Sequence, residues 1–549
     1  MVFALLAVAW TWPAVLGTHL LGHHPDAPGT AWFLGAAPRL LAGGLSDPLS
    51  GWPVGAHYGR PDSFLLLVVG TLGAPLGAAR LLGWTTVVGV TLSAWAAEAL
   101  ARQVGAKRPW SLLAGLGFAF SGLASTAYLE GYPYHLLDPW VPLFVGAWLR
   151  ATRPGARPRD AALAGLWFVL ALLNTAWLGI ACVPVGVVFL GASVWRGDRV
   201  WLRSLATASL VAGPLVLAYV LLFRAGGGAG AAALADAGFP TPDLGLTLRR
   251  FSPPGPSIDL HGYTQSATLP AVVLALTVVA GRLVDDRMPR KTLVAAGLGA
   301  LLLAVSPVVL APLAASAASG DNTVLSVVAS SLLRFPDRLT RGTLVCFGAV
   351  AAVALTGLAK RHPRVAAGVL LSGLVDAFVV PRMPLRQQRM VAAVPSAYGA
   401  HDGPVLDLWP EDASPAPAWT LWTTNLGCYY QTVHQRPITD LCVVSPGTES
   451  PRLVLQRWVL DRWLSGAADE TVPVLQALGV GSVAVHTTVM AGADRKRVLA
   501  AVADWPVMVR TVDGGEEIVA AAVPGARQVD PVAARSAWAA WQADRLAAE

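Results

Sequence analysis

The sequence predicts a membrane all-α bundle of about eleven transmembrane helices, followed by a small extracytoplasmic α/β domain. Two observations support this fold class. The 549 residues are 54% hydrophobic and only 13% charged, which is far from the composition of soluble proteins. The long apolar segments are confined to residues 1–380, whereas residues 381–549 have the composition of a water-soluble domain. These two ranges are the predicted domains.

The two ranges also differ in charge. Residues 1–380 contain 26 Lys and Arg against 16 Asp and Glu, and residues 381–549 contain 14 against 17. The basic excess therefore belongs to the membrane part, where Lys and Arg flank apolar segments. A nucleic-acid-binding protein would instead cluster its basic residues on a soluble face, so the charge pattern argues against that class.

Each predicted span follows from an apolar segment, since a spanning helix needs roughly 20 largely apolar residues. The eleven segments lie near residues 2–21, 84–101, 110–128, 140–149, 161–174, 177–194, 204–223, 269–281, 292–313, 342–359 and 364–380. The apolar segment 63–82 carries Pro75 and Arg80, and we interpret it as a helix at the membrane interface. If it crossed the membrane instead, every later loop would change sides.

The loops between the spans set the topology. Lys and Arg are concentrated in alternate short loops, which are cytoplasmic by the positive-inside rule. The N-terminus is then cytoplasmic. Loops 22–83, 128–139, 224–268 and 314–341 lie outside, together with the C-terminal domain.

The C-terminal domain shows short strand and helix patterns. Strands are predicted at 404–409 and 480–486, helices at 472–478 and 495–503, and a hairpin at 507–523 around Asp513-Gly514-Gly515. Cys428 and Cys442 have no zinc-ligand pattern around them. They are a candidate disulfide if the domain faces an oxidising compartment, with two free thiols as the alternative.

Carboxylates and imidazoles are concentrated in the first two outer loops. The residues of interest are His24, Asp26, His57, Glu130, His135 and Asp138. Such side chains at a membrane surface can hold a divalent cation or take a proton from an incoming hydroxyl. The alternative is that they are solvated loop residues or interfacial anchors.

Two further groups suggest ligand binding. Arg334 and Arg338 precede the tenth span on the side with fewer positive charges, and a guanidinium fork suits the phosphate oxygens of a lipid headgroup. Pairing with Asp337, or with lipid headgroups in general, is the alternative. Tyr429 to His434 (YYQTVH) combine aromatic, amide and imidazole side chains, which could bind a sugar or form a structural turn.

The order of these features resembles the GT-C superfamily of multi-span glycosyltransferases, in particular bacterial members with a soluble C-terminal domain. The matching stretches are AGLGFAFSG, WVPLFVGAWLR, GPVLDLWP, YYQTVHQRPITD and LGVGSVAVH. The resemblance implies an enzyme of the bacterial inner membrane and cell envelope. Such an enzyme moves a hexose or pentose from a polyprenyl-phosphate carrier to a glycan, lipid or protein acceptor outside the cytoplasm.

The resemblance also implies roles for individual residues. The first-loop acidic position maps onto Asp26, as catalytic base or metal ligand. The second-loop position maps onto Asp138 and less closely onto Glu130, with His135 beside them. Arg334, Arg338, His57, Tyr429 and His434 form the expected substrate-binding set.

A divalent metal would be held by Asp26, His24 and Asp138. The first loop has no Asp-Asp or Asp-X-Asp pair, which some members have, so the metal requirement stays open. Two alternatives also remain: a transporter or flippase for a lipid-linked saccharide, and a catalytically inactive GT-C-like assembly factor.

Overall fold

The computed structural model describes residues 1–22, 26–58, 63–129, 131–225, 288–305, 340–379, 392–400, 403–409, 417–442, 451–488, 490, 492–513 and 516–548. The chain forms two compact units. The first comprises Met1–Leu16, Gly59–Leu66 and Leu82–Arg389, and the second comprises Gly17–Tyr58, Leu67–Leu81 and Met390–Glu549. The predicted boundary at residue 380 lies outside the described residues.

The helices and strands are numbered in chain order. The helices are α1 (Val2–Thr11), α2 (Asp26–Ala42), α3 (Phe64–Gly73), α4 (Ala78–Gln103), α5 (Leu112–Ala119), α6 (Gly122–Leu129), α7 (Pro133–Leu136), α8 (Trp140–Ala151), α9 (Pro158–Asn174), α10 (Ala176–Trp195), α11 (Val200–Ala225), α12 (Met288–Val305), α13 (Thr340–Arg361), α14 (Pro363–Val379), α15 (Pro417–His434), α16 (Pro451–Leu464), α17 (Thr471–Ala477), α18 (Gly492–Ala501) and α19 (Pro531–Ala548). The strands are β1 (Ser46–Asp47), β2 (Ala56–His57), β3 (Val405–Leu408), β4 (Ser482–His486), β5 (Val507–Asp513) and β6 (Glu516–Ala522).

Three of the described helices are long and apolar enough to cross a membrane. They are α10, residues Val200–Tyr219 of α11, and α13. A helix of 20 residues is about 30 Å long, which matches the hydrocarbon thickness of a bilayer. The predicted span at 269–281 lies outside the described residues, and the count of eleven spans stays a prediction.

Several predicted spans differ from the helices that form. The segment predicted at 2–21 ends as a helix at Thr11, because Pro13 disfavours helical backbone at the residue before it. The segment predicted at 110–128 is divided into α5 and α6. The Ser121 hydroxyl accepts the N–H of Ala124 (3.3 Å) and so caps the start of α6.

The predicted interface segment 63–82 is also divided. Its helix α3 has ten residues and is therefore about 15 Å long. That length is too short to cross a bilayer. The next long helix, α4, begins at Ala78.

The first unit is a helical bundle with a close-packed apolar core. Helix α9 packs against α8 and α11, and α13 packs against α12 and α5. Phe118, Phe144, Trp148 and Phe189 are buried in this core. Residues 340–356 of α13 are all buried, so α13 is a central helix of the unit.

The second unit contains a four-stranded sheet in the order β3-β4-β6-β5. Strands β3 and β4 are parallel, and β4, β6 and β5 are antiparallel neighbours. The predicted strands at 404–409 and 480–486, the helices at 472–478 and 495–503, and the hairpin strands are confirmed within a few residues. The hairpin turn itself lies outside the described residues.

The two faces of this sheet have different chemistry. Leu406 and Leu408 of β3 and Val483 and Val485 of β4 face an apolar core shared with α16, α17, α18 and α19. Side chains alternate between faces along a strand, so Asp407 lies on the opposite face. The register pairs Asp407 with Ala484, which places His486 on that same polar face.

Candidate active site

Asp26 lies on helix α2, which falls within the first outer loop and is not predicted from the sequence. Asp26 is the first residue of α2 and is half-buried, and its carbonyl accepts the Thr30 hydroxyl (3.1 Å). A carboxylate at this position could act as a general base. His24 lies outside the described residues.

Helix α2 packs closely on α15 of the C-terminal domain. A Cβ on Gly29 would lie 2.9 Å from the side chain of Asn425, and a Cβ on Gly35 would lie 3.0 Å from that of Thr432. Both glycines lie on the α2 surface that faces α15, and larger side chains there would push the helices apart. The contacts advance in the same direction along both helices, so α2 and α15 run parallel.

The first outer loop also joins the C-terminal domain through its backbone. The N–H groups of Gly51 and Trp52 donate to the carbonyls of Asp440 (2.6 Å) and Ile438 (2.9 Å), and the N–H of Ile438 donates to the carbonyl of Leu49 (2.8 Å). The first loop and the C-terminal domain therefore form one packed unit.

A bidentate ion pair fixes the end of α2. Arg39 donates from Nε and Nη2 to the two carboxylate oxygens of Asp47, at 3.0 and 3.2 Å. Asp47 is fully buried, and its carboxylate also accepts the N–H of Leu49 (3.1 Å). Planar bidentate pairs of this kind are strong and directional.

The polar face of the sheet holds a buried group of ionisable side chains. Tyr398 donates its hydroxyl to Asp407 (2.5 Å) and lies 3.0 Å from Nε2 of His486. Arg452 Nε lies 2.5 Å from a carboxylate oxygen of Asp440. Tyr398, Asp407, Asp440, Arg452 and His486 are all at most 1% exposed. Such burial suits a structural polar core, since a substrate would have to displace packed side chains to reach it.

Burial raises the pKa of Asp440 to about 8. Arg452 favours the ionised carboxylate, whereas the nearby Asp407 carboxylate disfavours it. Both carboxyl groups approach the backbone of Gly427 in α15, because a Cβ there would lie 2.6 Å from Asp440 Oδ2 and 2.9 Å from Asp407 Oδ2. Only a glycine fits this contact without a shift.

A disulfide lies next to this buried group. Cys428 and Cys442 are bonded, with Cα atoms 5.6 Å apart. Cys428 follows Gly427, and Cys442 follows Asp440 by two residues. The disulfide therefore holds the segment that carries Asp440 against α15.

The second outer loop is organised around Asp138. Its carboxylate is fully buried and accepts a hydrogen bond from Arg341 Nη1 of α13 (3.1 Å). The other oxygen lies 3.4 Å from the N–H of Val141 in the first turn of α8, where an acceptor caps the helix. Asp138 thus ties the loop to two helices.

Neighbouring side chains hold the same loop. Asn174, at the end of α9, donates to the carbonyls of Tyr134 (2.7 Å) and Leu137 (2.6 Å). Ser93 of α4 accepts the N–H of Asp138 (2.8 Å). His135 is 3% exposed and packs against the ring of Tyr134.

The remaining predicted site residues have varied positions. Arg334, Arg338 and Glu130 lie outside the described residues. His57 is part of β2, where it pairs with Ser46.

Tyr429 is buried in α15 and donates its hydroxyl to the carbonyl of Ala392 (2.7 Å). His434, the last residue of α15, is half-buried and stacks on Tyr398. Their predicted roles in substrate binding stay predictions.

Arg341 and Asn174 are not among the site residues predicted from the sequence, and Gln431 is predicted only as part of the Tyr429 to His434 cluster. Arg341 lies at the start of the apolar segment 342–359, and an arginine beside an apolar segment is a usable signal. Asp407 within the apolar strand VLDLW is a comparable signal. The partners of Gln431 lie 382 to 399 residues earlier in the chain, so no local pattern shows what its amide binds.

The predicted metal ligand His24 lies outside the described residues. Among the described residues, no group of three or more His, Cys, Asp or Glu side chains could hold a metal ion. The Asp138 carboxylate is already bonded to Arg341. The predicted role of a divalent metal stays a prediction, and the reaction proposed below includes no metal step.

Comparison with known proteins identifies the fold. No protein-family model matches the chain, and no curated protein does. Among solved structures, a variant of the arabinofuranosyltransferase AftD from Mycobacteria has 17% identity and a TM-score of 0.52, over 96% of this chain and 42% of AftD. The oligosaccharyltransferase AglB from Archaeoglobus fulgidus has 11% identity and a TM-score of 0.47, over 96% of this chain and 74% of AglB.

ArnT from Cupriavidus metallidurans, bound to undecaprenyl phosphate, has 14% identity and a TM-score of 0.40, over 94% of this chain and 97% of ArnT. Of these three, the AftD likeness is close enough to show a shared fold. The fold is that of the GT-C glycosyltransferases. This chain spans about two fifths of the length of AftD.

Proposed function

We propose that this chain is an integral membrane glycosyltransferase that moves a sugar from a polyprenyl-phosphate carrier to an acceptor outside the cytoplasm. The observation that carries the proposal is the GT-C fold over 96% of the chain, combined with a carboxylate at the N-terminus of α2. The carrier, the acceptor and the bacterial inner membrane come from the sequence resemblance. The topology of about eleven spans with a cytoplasmic N-terminus comes from the apolar segments and the loop charges.

The proposed reaction is a direct displacement at the anomeric carbon. Asp26 takes the proton of the acceptor hydroxyl as the new oxygen–carbon bond forms. The bond from that carbon to the phosphate oxygen breaks, and the polyprenyl phosphate leaves with the electron pair. Arg334 or Arg338 stabilises the negative charge that develops on the phosphate.

The two acidic loop positions have different roles in this proposal. Asp26 is half-buried, as a base that receives a proton from a bound acceptor must be. Asp138 is fully buried and already bonded to Arg341. We therefore assign Asp138 a positioning role: it holds the second outer loop, with His135, against α8 and α13.

A flippase for a lipid-linked saccharide is the second candidate. The buried ion pair between Asp138 and Arg341, at the start of a spanning helix, favours it, because charged residues in membrane segments often mark transport pathways. The two functions differ in product. A transferase breaks the bond between sugar and phosphate, whereas a flippase leaves the donor intact.

Reconstitution of the full chain in liposomes distinguishes the two. The liposomes contain polyprenyl-phosphate hexoses and pentoses in turn, together with a sugar acceptor, and mass spectrometry measures glycosylated acceptor and free polyprenyl phosphate. We expect both products from at least one donor. Movement of intact donor between leaflets without either product would overturn the proposal in favour of the flippase.

A further inference from the structure

The side-chain amide of Gln431 connects α15 to the helix that carries Asp26. Its oxygen accepts hydrogen bonds from Trp32 Nε1 (2.8 Å) and from Arg39 Nη2 (2.6 Å). Its nitrogen donates to the carbonyl of Leu49 (2.6 Å). Gln431 is fully buried. All three bonds cross from the C-terminal domain to the first outer loop.

These bonds fix the rotation of α2 about its own axis. Trp32 and Arg39 are seven residues apart, so they lie on one face of α2, two turns from each other. One amide oxygen bonded to both side chains holds that face toward α15. Asp26 is six residues before Trp32, or about 9 Å along the axis. A rotation of α2 would therefore turn the Asp26 carboxylate by the same angle.

The N-terminal turn of α2 also packs against α15. Gly29 lies directly against the side chain of Asn425. This contact sets the distance between α2 and α15, and the bonds of Gln431 set the rotation of α2. Distance and rotation together define where the carboxylate of residue 26 lies.

We propose that Gln431 is a positioning residue that orients α2, and through α2 the carboxylate of Asp26, for proton transfer. The inference rests on the proposed function, in which Asp26 is the base. It assigns the C-terminal domain a part in the reaction: the domain sets the geometry of a base that belongs to the first outer loop.

The chemistry of the site explains why an amide is needed. The position requires an acceptor for two donors and a donor for one carbonyl. An amide offers both. A glutamate at 431 keeps the two acceptor bonds and gains charge pairing with Arg39, but it faces the Leu49 carbonyl without a proton. A methionine matches the size and makes none of the three bonds.

Matched variants of the full chain test the inference. Gln431→Met and Gln431→Glu are compared with Gln435→Met. Gln435 lies one turn later, and its side chain makes an exposed 3.4 Å contact with Arg39 and an exposed bond to the Thr432 carbonyl of α15 (2.5 Å). Trp52→Phe is a second control. It removes a buried bond between the same loop and domain, from Trp52 Nε1 to the Leu478 carbonyl (2.8 Å), without touching α2.

The measurements are kcat and KM for the donor that the liposome assay identifies, and hydrogen exchange of residues 27–42. We expect Gln431→Met to lower kcat by about tenfold to a hundredfold, with KM within twofold and faster exchange in α2. Gln431→Glu should recover part of kcat. Gln435→Met and Trp52→Phe should keep kcat within about threefold.

Two results would contradict the inference, and they differ from failure of the proposed function. Unchanged α2 exchange and unchanged kcat in Gln431→Met would overturn the inference alone. Equal loss of kcat in Gln431→Met and Trp52→Phe would show that Gln431 has only a structural role, and this result would also overturn the inference. Absence of transfer by the wild-type chain would remove the proposed function, and this inference with it.

Discussion

Two buried carboxylates, Asp138 and Asp440, each lie beside a buried arginine. Asp138 is paired with Arg341 and Asp440 with Arg452, and all four side chains are at most 5% exposed. Removing one member of such a pair leaves the other charge in a poorly solvating environment, which costs about 3–5 kcal/mol. At the scale of residues, these pairs therefore affect stability more than surface charges do.

Asp138→Asn tests the first pair. We expect it to lower the free energy of unfolding by about 3–5 kcal/mol, because Arg341 loses its carboxylate partner inside the bundle. The double variant Asp138→Asn with Arg341→Met should lose less than the two single variants together. Thermal or denaturant unfolding of the purified chain in detergent measures this. Additive losses would show that the two side chains do not interact.

The pKa of Asp440 predicts a pH dependence. Its carboxyl has a pKa of about 8 in the folded chain and about 3.9 when unfolded. As pH rises from about 4 to about 8, the unfolded chain releases this proton while the folded chain keeps it, so the Asp440 contribution to stability falls. The charged or titratable groups that it faces are Asp407 of β3, Arg452 of α16 and His486 of β4.

Asp440→Asn should flatten this dependence across the same pH window. The measurement is the unfolding midpoint of the full chain at several pH values, with Asp461→Asn, an exposed carboxylate on α16, as the control. An unchanged slope in Asp440→Asn would show that another group sets the pH dependence.

Helix α2 shows at the scale of elements what sequence patterns can and cannot predict. The strands and short helices of the C-terminal domain follow from alternation and turn residues, and they are confirmed. Helix α2 is not predicted, because Gly29, Gly35 and Pro38 are poor helix formers. The two glycines are placed where α15 approaches, so tertiary packing outweighs propensity. No local pattern contains that information.

Gly29→Ala tests whether this close approach matters. The new Cβ would lie 2.9 Å from Asn425, so we expect a loss of about 1–3 kcal/mol from overpacking despite the better helix propensity of alanine. Gly191→Ala in α10, where the Cβ meets open space, is the matched control and should not destabilise. Unfolding midpoints of both variants decide the question. A Gly29→Ala variant as stable as the wild-type chain would contradict the packing described here.

The whole molecule is organised differently from the order of its sequence. Hydropathy predicts the apolar segments, and the GT-C layout is confirmed as a fold. Hydropathy cannot predict that residues 17–58 and 67–81 belong to the same unit as residues 390–549, because that association depends on contacts between residues far apart in the chain. For the same reason, Gln431 could be predicted only as part of a possible sugar-binding cluster, and its contact with α2 could not be predicted.

Thiol labelling tests the proposed orientation of the whole chain. Cys182 and Cys346 are fully buried, and Cys428 and Cys442 are joined. The wild-type chain should therefore stay unlabelled by a membrane-impermeant maleimide added to intact cells, and it serves as the control. An Asp461→Cys chain, whose new thiol is exposed on α16, should be labelled. Labelling that requires permeabilised membranes would place the domain in the cytoplasm.

The most direct test of the central claim is sugar transfer by the purified Asp26→Asn chain, compared with wild type and with Asp461→Asn. Removing the base while keeping the size of the side chain should lower kcat by about 10²–10⁴-fold, with an unchanged unfolding midpoint and unchanged donor binding. Asp461→Asn should be fully active. Wild-type kcat in Asp26→Asn would contradict the role of the first outer loop as the source of the catalytic base.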